Sequence, residues 1–390
     1  MTTMISYGRQ DVSEADIQAV VDVLRSDFLT QGPIVPAFEE KVANYCGAQH
    51  AIAVNSATSA LHIACLALGV GKGDMVWTTP ITFVASANCA LYCGAQVDFV
   101  DIDSRTYNMS VACLAEKLAQ AEMTGKLPKV VIPVHLCGQP CDMVGIYALS
   151  QQYGFKIIED ASHALGGKYQ DEPVGNCRYS DITVFSFHPV KIITAGEGGM
   201  ALTNNTALAK RMRLLRSHGI TSDVAEMIPR AAKELWFYQQ IDLGFNYRMT
   251  DIHAALGLSQ MQRLDEFVSK RHAIVRRYEW LFTDIPVMTT WQHIDSYSSH
   301  HLYVIRLKLS ALTKTHRQVF EGLRTAGIGV NLHYIPVYLQ PYYAKLGFKV
   351  GLCPEAEKYY SEAISLPLYP ALTDAQQDQI LQALQEVISE

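Results

Sequence analysis

The sequence predicts an α/β protein: a large domain built on a mostly parallel sheet, followed by a smaller α+β domain. Three observations carry this. Short apolar, β-branched runs alternate with helical segments from about residue 50 to about residue 200, the pattern of right-handed crossovers between parallel strands. These runs end in polar or turn-forming residues: NSATS after AIAV, TTP after MVW, the acids of KIIED, and HP after DITVFSF. From about residue 251 the pattern changes to a long helix, then strands such as HLYVIRLKL and further helices, which divides the chain into 1–250 and 251–390.

Each element follows from local pattern. DVSEADIQAVVDVLRSD has Ile17, Val20, Val21, Val23 and Leu24 at helical spacing, with Ser13 as cap. The turn-rich LTQGP leads to a second helix from about Pro36; Thr30 and Gln31 are there either loop residues or ligand contacts. A strand at Ala51–Val54 breaks into Asn-Ser-Ala-Thr-Ser, and an apolar helix begins near Ala60 with Leu61, Ala64, Cys65 and Leu68 on one side. The glycines of GVGKGD follow this helix, so they read as a C-terminal cap and not as a dinucleotide loop. MVWTTPITFVASANCALYCG gives a strand, a turn and a helix with Phe83 at its start. AQVDFVDID and KVVIPVHLCG are strands flanking a helix at Val111–Glu122. After NNTALAKRMRLLRSHG, a polar insert runs to about Tyr238; Thr250 then caps a helix whose first turn holds Asp251.

Composition limits the function. At 390 residues, with 49% hydrophobic and 18% charged residues, the chain can bury a large core. A net charge of -6 argues against general nucleic-acid binding. The N-terminus lacks a signal-peptide pattern and no apolar run reaches membrane-spanning length, so a cytoplasmic protein without membrane association is expected. Nine scattered cysteines fit reduced thiols. His135, Cys137 and Cys141 have no second cluster to complete a metal set, and no metal is expected.

The informative stretch is DITVFSFHPVKIITAGEGGM. Pro189 stops an apolar strand and Lys191 stands just beyond it. Desolvation there lowers the pKa of an amine and makes it nucleophilic, and the common partner of such a lysine is pyridoxal phosphate, held as a Schiff base. That cofactor needs a carboxylate for its pyridine nitrogen, a ring cover and a phosphate cup. Asp160, at the end of KIIED, fits the first need. Phe83 is either the cover or core. Thr58 and Ser59, at a strand-to-helix junction, are either a phosphate site or an N-cap. Since ligands sit beyond the carboxyl ends of parallel strands, these residues converge on one edge.

Taken in order over essentially the whole chain, NSATSALH, TFVASAN, EDASHALG, SFHPVK, GEGGM and FNYRMTDIHAALG resemble the sugar-nucleotide aminotransferases of the DegT/DnrJ family, which have the aspartate aminotransferase (type I) fold. The resemblance implies that Lys191 carries the cofactor, Asp160 pairs with its ring nitrogen, Phe83 covers the ring, and Thr58, Ser59 and Ser186 hold the phosphate. It places His163 and His188 in the pocket. It implies a homodimer in which Asn246 reaches the neighbouring subunit's cofactor. Tyr7, Thr30, Gln31, Glu197, Arg248 and Tyr334 are the implied substrate contacts. YGRQ, SDFLTQGP, PVHLCGQPCDM, SHGIT, HYIPVYLQPYY and SLPLYP are similar to the branch serving pseudaminic acid synthesis. That likeness implies L-glutamate as donor and the UDP-linked 4-keto sugar UDP-2-acetamido-2,6-dideoxy-β-L-arabino-hex-4-ulose as acceptor. Alternatives are another nucleotide 4-keto-6-deoxy sugar, as for bacillosamine or a GDP-sugar, or a cofactor-binding sensor without turnover. The chain departs from the pattern at Tyr338, where histidine is expected, and at Ile192 and Ile193, where less apolar residues are expected.

Overall fold

The computed structural model describes residues 4–229 and 236–389, so residues 230–235 of the expected polar insert lie outside the described residues. Its central sheet contains β1 (His50–Val54), β2 (Met75–Thr78), β3 (Gln96–Phe99), β4 (Val130–Ile132), β5 (Lys156–Asp160), β6 (Ile182–Ser186) and β7 (Gly199–Thr203). The spatial order is β1-β7-β6-β5-β4-β2-β3. β3, β2, β4, β5 and β6 pair in parallel, as expected, while β7 runs antiparallel to both β6 and β1. The reversal follows from the link 187–198. It contains no helix, and without a crossover a chain leaving β6 cannot return parallel to it. That link carries Lys191.

The helices before residue 250 are α1 (Glu14–Leu24), α2 (Ile34–Cys46), α3 (Ala57–Ala67), α4 (Ala85–Tyr92), α5 (Val111–Thr124), α6 (Met143–Tyr153) and α7 (Thr206–Arg216). Strand alternation sorts them onto two faces. Ile52, Val54, Ile132 and Val184 pack with Leu61, Ala64, Ala87 and Met212 of α3, α4 and α7. Ala51, Ala53 and Phe185 pack with Val35, Phe38 and Val42 of α2. Val131 and Ile157 pack with Leu114, Leu118 and Ile146 of α5 and α6. Both faces are therefore covered, which is why the strands read as near-continuous apolar runs.

The expected long helix is two, α8 (Asp251–Gln260) and α9 (Leu264–Leu281), joined by a tighter turn at Met261–Arg263. α8 packs on α1 and α2, so it sits with the first part of the chain although it lies past the expected division at 250. Beyond it, β8 (Val287–Met288), β9 (Tyr303–Leu307) and β10 (Ala363–Leu366) form an antiparallel sheet. α10 (His316–Thr325), α11 (Pro341–Lys345), α12 (Pro354–Glu362) and α13 (Asp374–Ser389) complete this part. Its core joins Tyr278, Tyr303, Ile305, Leu323, Ile364 and Leu384. The N-terminal segment belongs with this second sheet: Ile5 bridges Ile328, and the Leu368 N–H donates to the Tyr7 carbonyl. Among the described residues, no helix is long and apolar enough to cross a membrane.

Candidate active site

The lysine loop is closed by backbone bonds. Phe187 N–H donates to Gly198 O at 2.9 Å, Ala195 N–H to Phe187 O at 3.0 Å, and Lys191 N–H to His188 O at 2.9 Å. Ile192 and Ile193 are buried in the core with Phe38 and Phe187. These two side chains pin the loop from below and hold Lys191 half-buried at the sheet edge. Burial lowers the Lys191 ammonium from an ordinary 10.5 to about 8, partly opposed by the nearby Asp160 carboxylate.

Asp160 ends β5 and is buried. One carboxylate oxygen accepts from the Ser86 hydroxyl at 2.6 Å, the other from the Ser162 N–H at 3.1 Å. Its backbone is clamped by the residues that follow β4: Asp160 N–H donates to Pro133 O, and Asp160 O accepts from His135 N–H. On the opposite side of β5, Glu159 is bonded to His135 Nε2 at 2.7 Å and accepts from Thr183 and Ser180. His135 therefore serves the sheet, with its Nδ1 accepting from Cys141 N–H at 3.1 Å.

A group of rings closes the other side. His163 is buried, its Nδ1 accepting from Cys137 N–H at 3.3 Å and its Nε2 lying 3.3 Å from the Tyr334 hydroxyl. An acceptor at Nδ1 puts the proton of the neutral ring on Nε2, so His163 donates to the phenol and leaves the Tyr334 O–H free to face a ligand. Burial and the Lys191 charge hold His163 well below the usual imidazole range. The His301 ring is 4.3 Å from that of His163, and burial likewise keeps it neutral. His333, pushed down to about 4 by burial and Lys191, faces Tyr7 at 5.4 Å. Arg271 of α9 fixes this segment by donating to the carbonyls of His300, His301 and Leu368. Phe83 is 60% exposed, with its ring 6.4 Å from Tyr334, so it projects from the fold and is free to cover a ligand.

The strand-to-helix junction after β1 presents the N-terminus of α3. Ser56, and neither Thr58 nor Ser59, is the N-cap of α3; its hydroxyl accepts from Ser59 N–H at 3.1 Å. Helix formation thus begins at Ala57, earlier than expected, because Ser56 can adopt the extended backbone of a cap. Thr58 and Ser59 lie in the first turn, where unpaired N–H groups and the helix dipole favour an anion. Ser59 donates to Asn55 Oδ1 at 2.7 Å. Gly199 pairs with Ser186 on one side and Val54 on the other. A Cβ at Gly199 would lie 2.4 Å from Ala57 N, so the absence of a side chain is what lets the helix start close against the sheet, beside Ser186.

The remaining expected residues lie as follows. Tyr7 approaches through His333, and Gly8 packs on Val190 beside the lysine. Arg248 bridges Val54 and donates to the Ser217 hydroxyl at 3.2 Å. His188, Glu197 and Asn246 are exposed. Thr30 and Gln31 are exposed, and Thr30 bridges Thr250, the cap of α8. Tyr338, where histidine was expected, lies in the core, packed on Phe99 and donating to Glu357 Oε1 at 2.5 Å, so it places no group on the site surface. Sequence reasoning missed Ser56, Ser86, His301 and His333. Ser86, a small hydroxyl residue at a helix start, carried the same kind of signal as Ser59; the histidines carried none.

These residues fit pyridoxal phosphate: an amine of lowered pKa, a buried carboxylate nearby, a helix start made accessible by Gly199, and an exposed aromatic cover. Fold and site define a pyridoxal-phosphate-dependent aminotransferase. The chain belongs to the DegT/DnrJ/EryC1/StrS aminotransferase family, whose model matches residues 10–385. It is 38% identical over 367 residues to the UDP-4-amino-4,6-dideoxy-N-acetyl-β-L-altrosamine transaminase of Campylobacter jejuni, covering 94% of this chain and 93% of that one. Among solved structures it is similar to Helicobacter pylori PseC, an aminotransferase involved in pseudoaminic acid biosynthesis, with TM-score 0.90, 30% identity and coverage of 99% and 100%. It is also similar to the pyridoxal phosphate form of Spr1654 from Streptococcus pneumoniae, a putative sugar aminotransferase, with TM-score 0.89, 31% identity and coverage of 99% of both chains.

Proposed function

We propose that the protein moves an amino group from L-glutamate to C4 of UDP-2-acetamido-2,6-dideoxy-β-L-arabino-hex-4-ulose. The product is UDP-4-amino-4,6-dideoxy-N-acetyl-β-L-altrosamine, for pseudaminic acid synthesis. The observation that carries the reaction type is Lys191, a desolvated amine held on a closed loop beside Asp160. The choice of acceptor is supported by the likeness to the C. jejuni transaminase and to PseC.

When bound, pyridoxal phosphate supplies an electron sink for loss of the proton from the amino-bearing carbon. Asp160 would hold the pyridine proton, with Ser86 and Ser162 fixing the carboxylate. The first turn of α3, with Thr58, Ser59 and Ser186, would hold the phosphate. Phe83 would cover the ring, and His163 would line its other side. Lys191 Nζ, lowered to about 8 and so more readily deprotonated than an ordinary lysine, would take the α-proton of glutamate and return a proton to C4 of the sugar. Tyr334 would donate its free O–H to substrate. Tyr7, Arg248, Thr30, Gln31, His188 and Glu197 are the proposed rim for the nucleotide sugar and donor. Asn246, exposed at the site edge, would serve the neighbouring subunit of a homodimer working in the cytoplasm.

The test incubates holoenzyme and L-glutamate with this ketone, with its D-series counterpart and with a GDP-linked 4-keto sugar, following 2-oxoglutarate and identifying products by NMR. Turnover of the β-L-arabino ketone to a 4-amino product is expected. Preferential turnover of another ketone overturns the acceptor. Failure of glutamate alone to release 2-oxoglutarate overturns the donor, and no turnover with any donor points to a sensor.

A further inference from the structure

Asp251 is buried at the start of α8, and both of its carboxylate oxygens serve a distant segment of the chain. Gly32 N–H donates to Oδ2 at 2.6 Å and Val35 N–H to Oδ1 at 2.8 Å. α2 begins here without a cap of its own, since Pro33 offers no side-chain acceptor, so Asp251 caps it from another helix. The Asp251 N–H donates to Leu29 O at 3.0 Å, and Thr30 pairs with Thr250. Residues 29, 30, 32 and 35 are thus tied to Thr250 and Asp251. Gln31 lies among them with φ 56°, a left-handed backbone that side-chain-bearing residues rarely adopt. A Cβ on Gly32 would lie 2.4 Å from Asp251 Oδ2, so only glycine lets the carboxylate come this close.

The same turn also touches the lysine loop. A Cβ on Gly198 would lie 2.4 Å from Met249 Cε, one on Gly196 would lie 3.6 Å from His253 Cδ2, and His253 Nδ1 is 3.0 Å from the Thr250 hydroxyl. Residues 249–253 therefore carry the end of the lysine loop on one side and the 29–35 segment on the other.

We infer that Asp251 is a positioning residue for the acceptor: it fixes Gln31 in the left-handed conformation, so that the exposed Gln31 amide hydrogen-bonds the nucleotide sugar. This rests on the reading of Gln31 as a nucleotide-sugar contact. A strained backbone persists only where its surroundings over-determine it, and here four neighbouring residues do so. Holding the loop in advance removes an ordering cost from binding. The amide both donates and accepts, which suits hydroxyls and carbonyls without adding charge. Only a carboxylate can accept from both N–H groups at once; asparagine would turn an NH2 toward one of them.

The experiment uses holoenzyme, L-glutamate and whichever UDP-linked 4-keto sugar the enzyme aminates, so a different acceptor from the one proposed leaves it intact. In Asp251→Asn, KM for the ketone should rise at least about tenfold, with kcat and the release of 2-oxoglutarate from glutamate alone within about twofold of wild type. Gln31→Ala should raise KM by a similar factor. Adding Asp251→Asn to Gln31→Ala should raise it by less than about twofold more, because a residue acting through Gln31 then has nothing left to position. A wild-type KM in Gln31→Ala removes the contact and the inference with it. A raised KM in Gln31→Ala, beside a wild-type KM in Asp251→Asn or factors that multiply in the double variant, keeps the contact and overturns the role of Asp251. A lost glutamate half-reaction in Asp251→Asn also overturns that role. Amination of no nucleotide ketone ends the reading and the inference together. Should Asp251→Asn lose its fold, Gln31→Gly against Gln31→Ala still decides. Both lack the amide, and only glycine takes the left-handed backbone freely, so Gln31→Gly should have the higher urea midpoint. Equal midpoints overturn the imposed conformation.

Discussion

Lys191 shows how one side chain's surroundings set both its chemistry and its cost. Burial disfavours its charged form, so the folded chain releases that proton near pH 8, while an unfolded chain holds it to its ordinary 10.5. Between those values the unfolded state binds more protons, so this lysine makes stability rise with pH across the window, and below it the folded state carries the full penalty. Cofactor-free wild type should therefore gain in urea midpoint from pH 7.5 to 10 relative to Lys191→Met, which keeps the apolar stem without the charge. Parallel midpoints across that range would show that the amine is not desolvated. Lys191 and Asp160 were legible because Asp160 ends an apolar strand and Lys191 follows just after one, where polar residues mark the sheet edge. His301 and His333 were not, because they reach the site only through the packing of α9 and the second sheet. Tyr338 shows the converse: a departure from a familiar motif was visible, but its burial against Phe99 was not.

At the scale of the element, the proposed phosphate cup depends on a contact between a strand and a helix start. The atoms that a Cβ on Gly199 would meet are Ala57 N at 2.4 Å, Ser56 C at 2.5 Å and Ala57 Cα at 2.6 Å, all backbone and unable to rotate away. Gly199→Ala must push α3 off β7. Overpacking of this kind costs about 1–3 kcal/mol. The displaced helix start should also lose pyridoxal phosphate affinity by at least about tenfold, because the N–H groups of the first turn act only at hydrogen-bond range. Gly71→Ala is the control, with nothing within 4 Å of its added methyl. Cofactor titration and chemical denaturation of both variants check this, and wild-type affinity in Gly199→Ala would remove the helix start from the cup. The sequence pattern revealed the strand and helix here, but placed the cap two or three residues late. The apolar run begins at Ala60, whereas hydrogen bonding begins at Ser56, and hydrophobic periodicity does not report a cap.

At the scale of the whole molecule, the alternation of strands and helices was legible and the closure of the chain was not. Nothing in the spacing of apolar residues announces that β7 reverses, or that Ile5 and Tyr7 return to pair beside Ile328 and Leu368. The consequence is that one chain brings Lys191, Asp160 and the ring group together, while Asn246, Thr30 and Gln31 face outward. Asn246 is exposed on the segment that borders β1, as are Thr30 and Gln31 beyond the Thr250 bridge. If Asn246 acts on the neighbouring subunit's cofactor, two inactive proteins can complement each other. Lys191→Ala lacks the amine and Asn246→Asp sets a negative charge against the phosphate. A mixed dimer then has one site with both defects and one with neither. Random exchange makes half the dimers mixed, each with one intact site, so co-refolded protein should recover about a quarter of wild-type activity. Each variant refolded alone should recover none. Recovery that never exceeds the sum of the two parents would place both residues in the same subunit's site and end the shared-site proposal.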